Sequence, residues 1–308
     1  MDVSYIKDSY SGIPTSFRQK LIGACDRHAS WLMPLPATGL AFLLMIFPLF
    51  FLLYMSFHDW LLLGSKGPEF VLFQNYLAMF QDERFLNAMV HTGIFIVLGL
   101  GSQIPLGMAI AVILNEHFPG RGLTRTLLLL PMVATPVAMS LVWVIMMDAS
   151  GGVLNYFLSW FGIGPVSWLS DVNIVIPALV LVNTWGGTPM VALICLAGLS
   201  SLPSEPFEAA MIDGASAWQR FWKISLPMVW PTLLVAILFR SIDLIKVIEH
   251  IYVMTQGGPA FSSETINLYN FFQGLFYFQI GYGSAVSVFI FVIVLGVSIL
   301  LIRARRKK

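Results

Sequence analysis

The chain has 308 residues, of which 57% are hydrophobic and 11% are charged, and its formal net charge is +1. A soluble domain usually carries about a quarter charged residues, so this composition indicates a membrane protein. A net charge near zero gives no support to nucleic-acid binding. Cys25 and Cys195 lie far apart in the sequence, and they predict neither a disulfide framework nor a metal site.

Residues 1–34 are mixed in polarity and contain no short apolar core followed by a cleavage site. This pattern predicts a retained cytoplasmic tail, in contrast to a signal peptide that is removed. The basic residues of the segment are Lys7, Arg18, Lys20 and Arg27.

Six apolar runs follow, and each is close to the length of about 20 residues that a helix needs to cross the bilayer core. The sequence therefore predicts an all-α, polytopic membrane domain over residues 35–302, followed by a basic cytoplasmic tail over residues 303–308. The predicted spans are Leu35–Ser56, Ala88–Leu114, Leu123–Met147, Ile174–Leu196, Leu226–Met254 and Tyr282–Ile302.

Lys and Arg residues are distributed unequally between the two sides of these spans. When the N-terminus is placed inside, the outer loops hold only Lys66 and Arg84. Because cytoplasmic loops carry an excess of basic residues, both termini and residues 203–227 are expected in the cytoplasm. The inner segments hold Lys7, Arg18, Lys20, Arg27, Arg121, Arg125, Arg220, Lys223, Arg303, Arg305, Arg306, Lys307 and Lys308.

Residues 203–227, between the fourth and fifth runs, are predicted to form two short helices joined by a tight turn. Ser204 can cap the first helix through its hydroxyl oxygen. Gly214 can end that helix, since glycine adopts the left-handed conformation of a helix end without a steric penalty. Ser216 and Gln219 have the spacing of a capping box at the start of the second helix.

The same segment carries a motif. The pattern Glu208-Ala209-Ala210, three residues, Gly214, nine residues, Ile224-x-Leu226-Pro227 resembles the EAA loop of the permease subunits of bacterial ABC importers. The resemblance implies the type I importer permease fold and a loop that docks into a groove on a separate ATPase subunit. The alternative is an ordinary cytoplasmic connector with well-capped helices. The resemblance assigns ATPase coupling to Glu208, Ala209, Ala210, Asp213, Gly214, Ile224, Leu226 and Pro227.

Outer segments resemble the carbohydrate-type permeases of that family. Phe73-Gln74-Asn75-Tyr76 is similar to their first outer loop, and Gly152, Asn155 and Trp168 to their second. Thr255-Gln256-Gly257-Gly258-Pro259, just after the fifth run, resembles the signature of the maltose-permease-like half of such transporters. This resemblance implies the group of six-span sugar, polyol and glycerol-3-phosphate permeases.

The resemblance thus makes Gly257, Gly258 and Pro259 a family signature loop. The outer segment 256–280 is a candidate contact for a substrate-binding protein, and a plain solvated loop is the alternative.

The fifth run holds charged side chains at bilayer depth. Such groups cost at least ~2.5 kcal/mol each on insertion scales, so they should face protein, a cavity or one another. On a helical wheel Asp243, Lys246 and His250 share one face, with Arg240 and Glu249 on its flanks. Arg240 can pair with Asp243, and Lys246 with Glu249, at a spacing of three residues. Internal or partner contacts are one hypothesis, and the lining of a polar substrate's path is the other.

The fourth run contains the amide side chain of Asn183 and the indole of Trp185. They are followed by the helix-weakening sequence Gly186-Gly187-Thr188-Pro189. Because aromatic faces stack on sugar rings and amides bind hydroxyls, one hypothesis is that these residues line the path of a sugar. The alternative is that the proline only kinks the helix and Trp185 only packs against its neighbours. In the family, the spans on either side of the docking loop hold the substrate. The candidate pathway residues are Asn183, Trp185, Arg240, Asp243, Lys246, Glu249, His250 and Tyr252.

Motifs of self-sufficient enzymes are missing from the sequence. It contains no G-x-x-x-x-G-K-[ST] phosphate loop, no H-E-x-x-H pair and no G-x-S-x-G elbow, and its histidines show no metal spacing. The chain is therefore expected to be no enzyme and to hold no metal or cofactor, with ATP bound by partner subunits.

The resemblance implies that the chain imports a carbohydrate or polyol across the bacterial cytoplasmic (inner) membrane by alternating access. Its implied partners are a second permease subunit, two ATP-binding cassette subunits and an extracytoplasmic substrate-binding protein. Three alternatives stay open. They are an importer permease for a non-sugar solute, a proton-coupled secondary transporter with Asp243, Glu249 and His250 as a relay, and an intramembrane enzyme.

Overall fold

A computed structural model of the chain describes residues 33–306. The expectations for residues 1–32, most of the predicted N-terminal tail, and for Lys307 and Lys308 lie outside the described residues. The described residues divide into two compact units, with the boundary between Tyr54 and Met55.

The first unit contains most of helix α1, Leu35–Ser56, which has the bounds that the sequence predicts. At its start the hydroxyl of Thr38 donates to the carbonyl of Pro34 at 2.9 Å. With 22 mostly apolar residues, α1 is long enough to cross a bilayer core.

The second unit is helical, apart from one short two-stranded sheet in its described part. Strand β1 (His58–Asp59) is antiparallel to β2 (Glu69–Phe70). The helices are α2 (Gln74–Gln81), α3 (Glu83–Asn115), α4 (Arg121–Val133), α5 (Pro136–Met146), α6 (Val153–Ser159), α7 (Val175–Ser200), α8 (Glu205–Ile212), α9 (Ala217–Arg220), α10 (Leu226–Lys246), α11 (Glu249–Met254), α12 (Ile266–Phe271) and α13 (Ile280–Arg306). Two π-helical turns, Phe221–Ser225 and Phe272–Phe276, follow α9 and α12.

Among the described residues, five helices are long and apolar enough to cross a membrane, or six if the bent pair α4–α5 is one span. The five are α1, α3, α7, the continuous helix from α9 to α10, and α13. The predicted all-α membrane fold is confirmed. α3 begins at Glu83, ahead of the predicted Ala88, because the Asp82 carboxylate caps it by accepting from the Arg84 N–H at 2.8 Å.

The third span is not the single helix that the sequence predicts over Leu123–Met147. Helices α4 and α5 meet at 95° across Ala134 and Thr135, whose backbones are extended. Thr135 precedes Pro136, and the proline ring disfavours helical backbone in the residue before it. The prediction of an unbroken helix was therefore wrong at this boundary.

The fifth span is also shorter than the predicted Leu226–Met254. Helix α10 stops at Lys246, and α11 begins anew at Glu249 after the extended Val247. The side-chain amide of Asn267 donates to the Lys246 carbonyl at 2.6 Å. This bond satisfies a backbone group that the end of α10 leaves free, and it stabilises the break.

The polar centre of the second unit lies where α3, α7 and α10 pack closely. A Cβ on Gly99 of α3 would lie 2.8 Å from Leu244 Cδ2 of α10. Likewise, a Cβ on Gly198 of α7 would lie 2.6 Å from Val229 Cγ2 of α10. Small residues let helix backbones approach within a membrane, and these contacts bring the polar side chains of the three helices together.

Candidate functional site

The connection between α7 and α10 contains the predicted helices, α8 and α9. Gly214 has φ +76°, the left-handed conformation expected at the turn between them. Ser216 Oγ accepts from the Gln219 N–H at 3.3 Å, and Gln219 Oε1 accepts from the Ser216 N–H at 2.8 Å. The predicted turn and capping box are confirmed.

Ser204 precedes α8 but does not cap it with its side chain, contrary to the prediction. Its backbone is already helical, at φ −77° and ψ −27°, whereas a capping residue normally has extended backbone. Instead, the Ser204 carbonyl accepts from the N–H groups of Phe207 and Glu208 at 2.9 and 3.0 Å. Helix α8 therefore begins with backbone contacts alone.

The second helix of the loop, α9, is not the separate short helix that the sequence predicts. It continues through the π-helical turn Phe221–Ser225 into α10, so that Ala217–Lys246 is one helix of 30 residues. Pro227 lacks an N–H and crowds the carbonyl four residues earlier, and the wider π-helical turn accommodates this inside the helix. The loop is thereby joined to the membrane interior without a break.

A concave surface of about 420 Å³ opens between α8, the turn and α9. Glu208, Ala209 and Asp213 are exposed, whereas Ile224 and Leu226 are half-buried. The surface is lined by Ala210, Asp213, Gly214, Ala215, Gln219, Arg220, Lys223 and Ile224.

Arg240 lies at the centre of the packed helices and is 7% exposed. Its guanidinium donates to Gln103 Oε1 at 2.7 Å and to Asn183 Oδ1 at 2.9 Å. It also donates to Asp243 Oδ2 at 3.1 Å, so the predicted pairing of these two residues is confirmed. The Gln103 amide donates to Asn183 Oδ1 at 2.9 Å. A buried charge is tolerated when it is paired and hydrogen-bonded, and this network provides both.

Gly187 of α7 leaves the space that the Arg240 side chain fills, because a Cβ there would overlap the guanidinium. Beside it is a cavity of about 160 Å³, which we call the central cavity. Four predicted pathway residues, Asn183, Trp185, Arg240 and His250, meet there. The cavity is lined by Pro131, Met132, Ala134, Pro136, Met139, Val182, Asn183, Trp185, Gly186, Gly187, Arg240 and His250.

Helix α5 of the bent span holds two of these side chains in place. The Trp185 ring packs edge-on against Trp143, with the ring centroids 5.9 Å apart. His250 Nδ1 lies 2.8 Å from Ser140 Oγ. Ser140 and Trp143 could not be predicted from the sequence, because their contacts with His250 and Trp185 join residues that are far apart in the chain.

The remaining predicted pathway residues do not line the central cavity. Lys246 and Glu249 form no ion pair within the part of the chain that the structure describes, since α10 ends at Lys246 and the helical spacing is lost. His250 lies on α11 and does not share a helical face with Asp243 and Lys246, so this part of the prediction was wrong. Tyr252, farther along α11, is 37% exposed.

A second polar cavity, of about 360 Å³, lies between α12, the π-helical turn after it and α13. Asn267 and Asn270 line it from α12, and Ser284 and Ser287 from α13. Asn270 Nδ2 donates to Ser287 Oγ at 2.7 Å, while its buried Oδ1 has no partner within the described residues. The sequence reasoning missed this cavity. The available signal was the three-residue spacing of each polar pair, which places both members on one helix face.

Residues 261–264, which follow the signature loop Gly257-Gly258-Pro259, are packed against α3. A contact for a substrate-binding protein and a solvated loop both stay predictions for this outer segment. Ser263 Oγ donates to the Gly258 carbonyl at 2.6 Å. Arg84 donates to both carboxylate oxygens of Glu264, each at 2.7 Å. The Arg84 guanidinium also lies 4.1 Å from the centre of the Phe261 ring. Because Glu264 is only 1% exposed, a buried bidentate pair holds the loop.

The predicted second outer loop, between α5 and α7, is ordered around Asn155. Its Oδ1 accepts from the indole N–H of Trp168 at 3.0 Å and from the Val166 N–H at 3.1 Å. In the same loop the Ser150 hydroxyl donates to Asp148 at 2.7 Å, which lowers the pKa of that carboxyl. Asn155 and Trp168 therefore have a structural role in the loop.

Residues 103–306 match the family described as "Binding-protein-dependent transport system inner membrane component". The chain belongs to this family. It is a multi-pass permease of an ABC transporter in the inner membrane, as the EAA-like spacing indicates.

Named relatives cover most of this permease. It is 34% identical to the trehalose/maltose transport system permease protein MalF of Thermococcus litoralis, over 91% of this chain and 95% of that protein. It is 31% identical to the trehalose transport system permease protein SugA of Mycobacterium tuberculosis strain H37Rv, over 86% of this chain and 85% of that protein.

A solved structure shares the fold of the permease. It is a chain of the bacterial alginate ABC transporter in complex with alginate pentasaccharide-bound periplasmic protein. The TM-score is 0.79 at 24% identity, and the match covers 94% of this chain and 98% of that chain.

Proposed function

We propose that this permease imports a carbohydrate or polyol by alternating access, as the non-catalytic membrane subunit of an ATP-driven transporter. One observation carries the proposal: the 30-residue helix Ala217–Lys246 runs from the exposed loop to the Arg240 network. At 1.5 Å per residue, about 36 Å separate Ser216 from Arg240 along this helix. A movement imposed on the loop is therefore transmitted directly to the wall of the central cavity.

The substrate class is supported by the relatives and by the chemistry of the central cavity. One similar permease is named for trehalose and maltose, and another is named for trehalose. The indole of Trp185 can stack on the apolar face of a sugar ring, and the amide of Asn183 can bind its hydroxyls. We assign both polar cavities to the pathway, and Asp243, Lys246, Glu249 and Tyr252 stay candidates for it.

The loop residues predicted for coupling are proposed to contact the partner ATPases. Two ATP-binding cassette subunits drive the cycle, one against this chain and one against a second permease. A binding protein delivers substrate at the outer face, where Gly257, Gly258 and Pro259 lie. In this arrangement both termini are cytoplasmic, and the chain hydrolyses no ATP itself.

Replacement of Gly214 by tryptophan tests the coupling role. No heavy atom lies within 4 Å of a Cβ at Gly214, so the indole would project from the concave surface without an internal clash. We expect Gly214→Trp to lower ATP-driven sugar uptake into proteoliposomes by roughly tenfold or more, since steric overlap at the centre of an interface removes over ~1.4 kcal/mol of binding.

Gly120 provides the matched control. It has φ +86°, also has open space around its Cβ position, and lies on the same predicted side of the membrane between α3 and α4. Gly120→Trp therefore carries similar backbone strain and is expected to transport normally. Normal uptake by Gly214→Trp would show that the loop does not dock an ATPase.

A further inference from the structure

Ser140 and His250 form a hydrogen bond whose direction is fixed by a third group. Ser140 Oγ lies 2.7 Å from the Pro136 carbonyl oxygen and 2.8 Å from His250 Nδ1. A hydroxyl has one hydrogen and a carbonyl can only accept, so the Ser140 hydrogen points to Pro136. His250 then donates from Nδ1 to Ser140 Oγ. In the neutral imidazole, this leaves Nε2 as a hydrogen-bond acceptor.

Arg240 fixes the amide orientations at the opposite wall of the central cavity. A guanidinium can only donate, so Gln103 turns Oε1 toward Arg240 and Nε2 toward Asn183. Asn183 Oδ1 accepts from both Gln103 and Arg240. The Nδ2 donors of Asn183 are therefore left outside the network.

The central cavity consequently has an excess of hydrogen-bond donors. Arg240 uses three of its five N–H groups in the network. Neither Asn183 Nδ2 nor the indole N–H of Trp185 has an acceptor within the described residues. Two side-chain atoms that line the cavity in this part of the chain are strong acceptors, Asn183 Oδ1 and His250 Nε2. Asn183 Oδ1 already accepts two hydrogen bonds, which leaves His250 Nε2 as the acceptor without a donor.

We propose that His250 determines specificity by accepting the hydrogen of a substrate hydroxyl at Nε2, while Asn183 and Trp185 donate to oxygens of the same solute. Ser140 is the positioning residue that holds the required tautomer. The inference rests on the proposed function, because it places the transported solute in this cavity. A hydroxyl both donates and accepts, so the hydroxyls of one solute can donate to His250 Nε2 and accept from Asn183 and Trp185. A carboxylate or sulfate group only accepts and cannot donate to Nε2, so the solute needs at least one hydroxyl hydrogen to pair with His250.

Two replacements of His250 separate recognition from packing. Asparagine places its amide nitrogen near the position of Nδ1 and keeps the bond to Ser140, but has no atom at the position of Nε2. Glutamine reaches the position of Nε2 with an acceptor oxygen, but does not reach Ser140. We expect His250→Asn to raise the KM for uptake roughly tenfold, and His250→Gln to recover most of that loss. The reverse order would show that the Ser140 contact only joins α5 to α11, and would overturn the proposal.

The uptake assay uses the complete transporter in proteoliposomes. Labelled trehalose, maltose, sorbitol and glycerol-3-phosphate are supplied in turn, and the solute imported fastest is used for all variants. If the unaltered transporter imports none of them, the proposed function is wrong for these solutes, and the histidine tautomer then decides the inference.

Nitrogen-15 NMR of labelled histidine measures that tautomer, with the His250 signal identified by its loss in His250→Asn. We expect Nδ1 to be protonated and Nε2 unprotonated in the unaltered protein. Ser140→Ala should shift the population toward the other tautomer and raise the KM about threefold, with an unchanged kcat and melting temperature. A ring protonated at Nε2 in the unaltered protein would overturn the proposal.

Discussion

Arg240 shows what a charge needs in order to lie within a membrane domain. An arginine at the centre of a membrane helix costs about 2.5–3.5 kcal/mol on insertion scales. Three side-chain acceptors, one of them the Asp243 carboxylate, offset this cost. Gln103 and Asn183 are themselves buried, and without Arg240 the Oε1 atom of Gln103 would lose its donor, whereas the bond from Gln103 Nε2 to Asn183 Oδ1 would remain. These side chains therefore stabilise the centre as one unit.

We predict that Gly187→Ala displaces Arg240 and breaks this unit. The added methyl group would overlap the guanidinium, and overpacking of this kind costs about 1–3 kcal/mol. The expected result is a lower melting temperature in detergent together with a loss of uptake. Gly186→Ala is the control for stability, since no heavy atom lies within 4 Å of a Cβ at that position. Equal melting temperatures for the two variants would contradict the packing argument.

Two elements far apart in the sequence are joined on the predicted outer side by what we call the outer latch, namely Arg84, Phe261 and Glu264. The bidentate pair is buried, with side-chain exposures of 22% and 1%. Gln256, Ala260 and Phe261 all have left-handed backbone, at φ values of 51°, 47° and 60°. Such conformations persist where surrounding contacts hold them, and the outer latch supplies those contacts.

We predict that Arg84→Lys loosens the loop that the outer latch holds. Lysine keeps the charge but loses the planar fork that binds Glu264 and stacks on Phe261. Amide hydrogen exchange over residues 257–265 is expected to become roughly tenfold faster, which corresponds to ~1.4 kcal/mol. Lys66→Ala is the matched control, because its pair with Glu69 is exposed and such pairs contribute about 0–1 kcal/mol. Unchanged exchange in Arg84→Lys would show that other contacts hold the loop.

Features of an element were predictable when their causes lie within a few residues. The turn at Gly214 and the capping box at Ser216 depend on neighbouring residues, and both are confirmed. The end of α10 at Lys246 is stabilised by Asn267, which lies 21 residues later in the chain, so the residues around Lys246 do not predict it. The same holds for Gln103, whose role depends on a side chain from another helix. Two local features are exceptions. The proline that causes the bend of the third span was visible in the sequence, and Ser204, which was expected to cap α8, has helical backbone and makes no side-chain cap.

For the whole molecule, orientation in the membrane stays a prediction from the distribution of basic residues. Membrane-impermeant maleimide can test it with single cysteines at two exposed serines, Ser65 and Ser204. Cys25 is first replaced by serine so that it cannot react with the maleimide. Cys195 is kept, because it is buried. We expect Ser65→Cys to react in intact cells from which the outer membrane has been removed, and Ser204→Cys to react only after permeabilisation. The opposite labelling pattern would invert the orientation and exclude a cytoplasmic docking loop.

The unbroken helix Ala217–Lys246 sets the amplitude of motion that the permease can tolerate. A tilt of about 10° pivoting near Ser216 would displace Arg240 by about 6 Å, given the 1.5 Å rise per residue. The bonds from Arg240 to Gln103 and Asn183 are under 3 Å long and cannot stretch that far. Either α3 and α7 travel with α10, or the polar centre separates in one step. If the polar centre separates, Arg240 loses the acceptors that offset its burial, so a partial tilt of this helix is opposed by the cost of an unpaired buried charge.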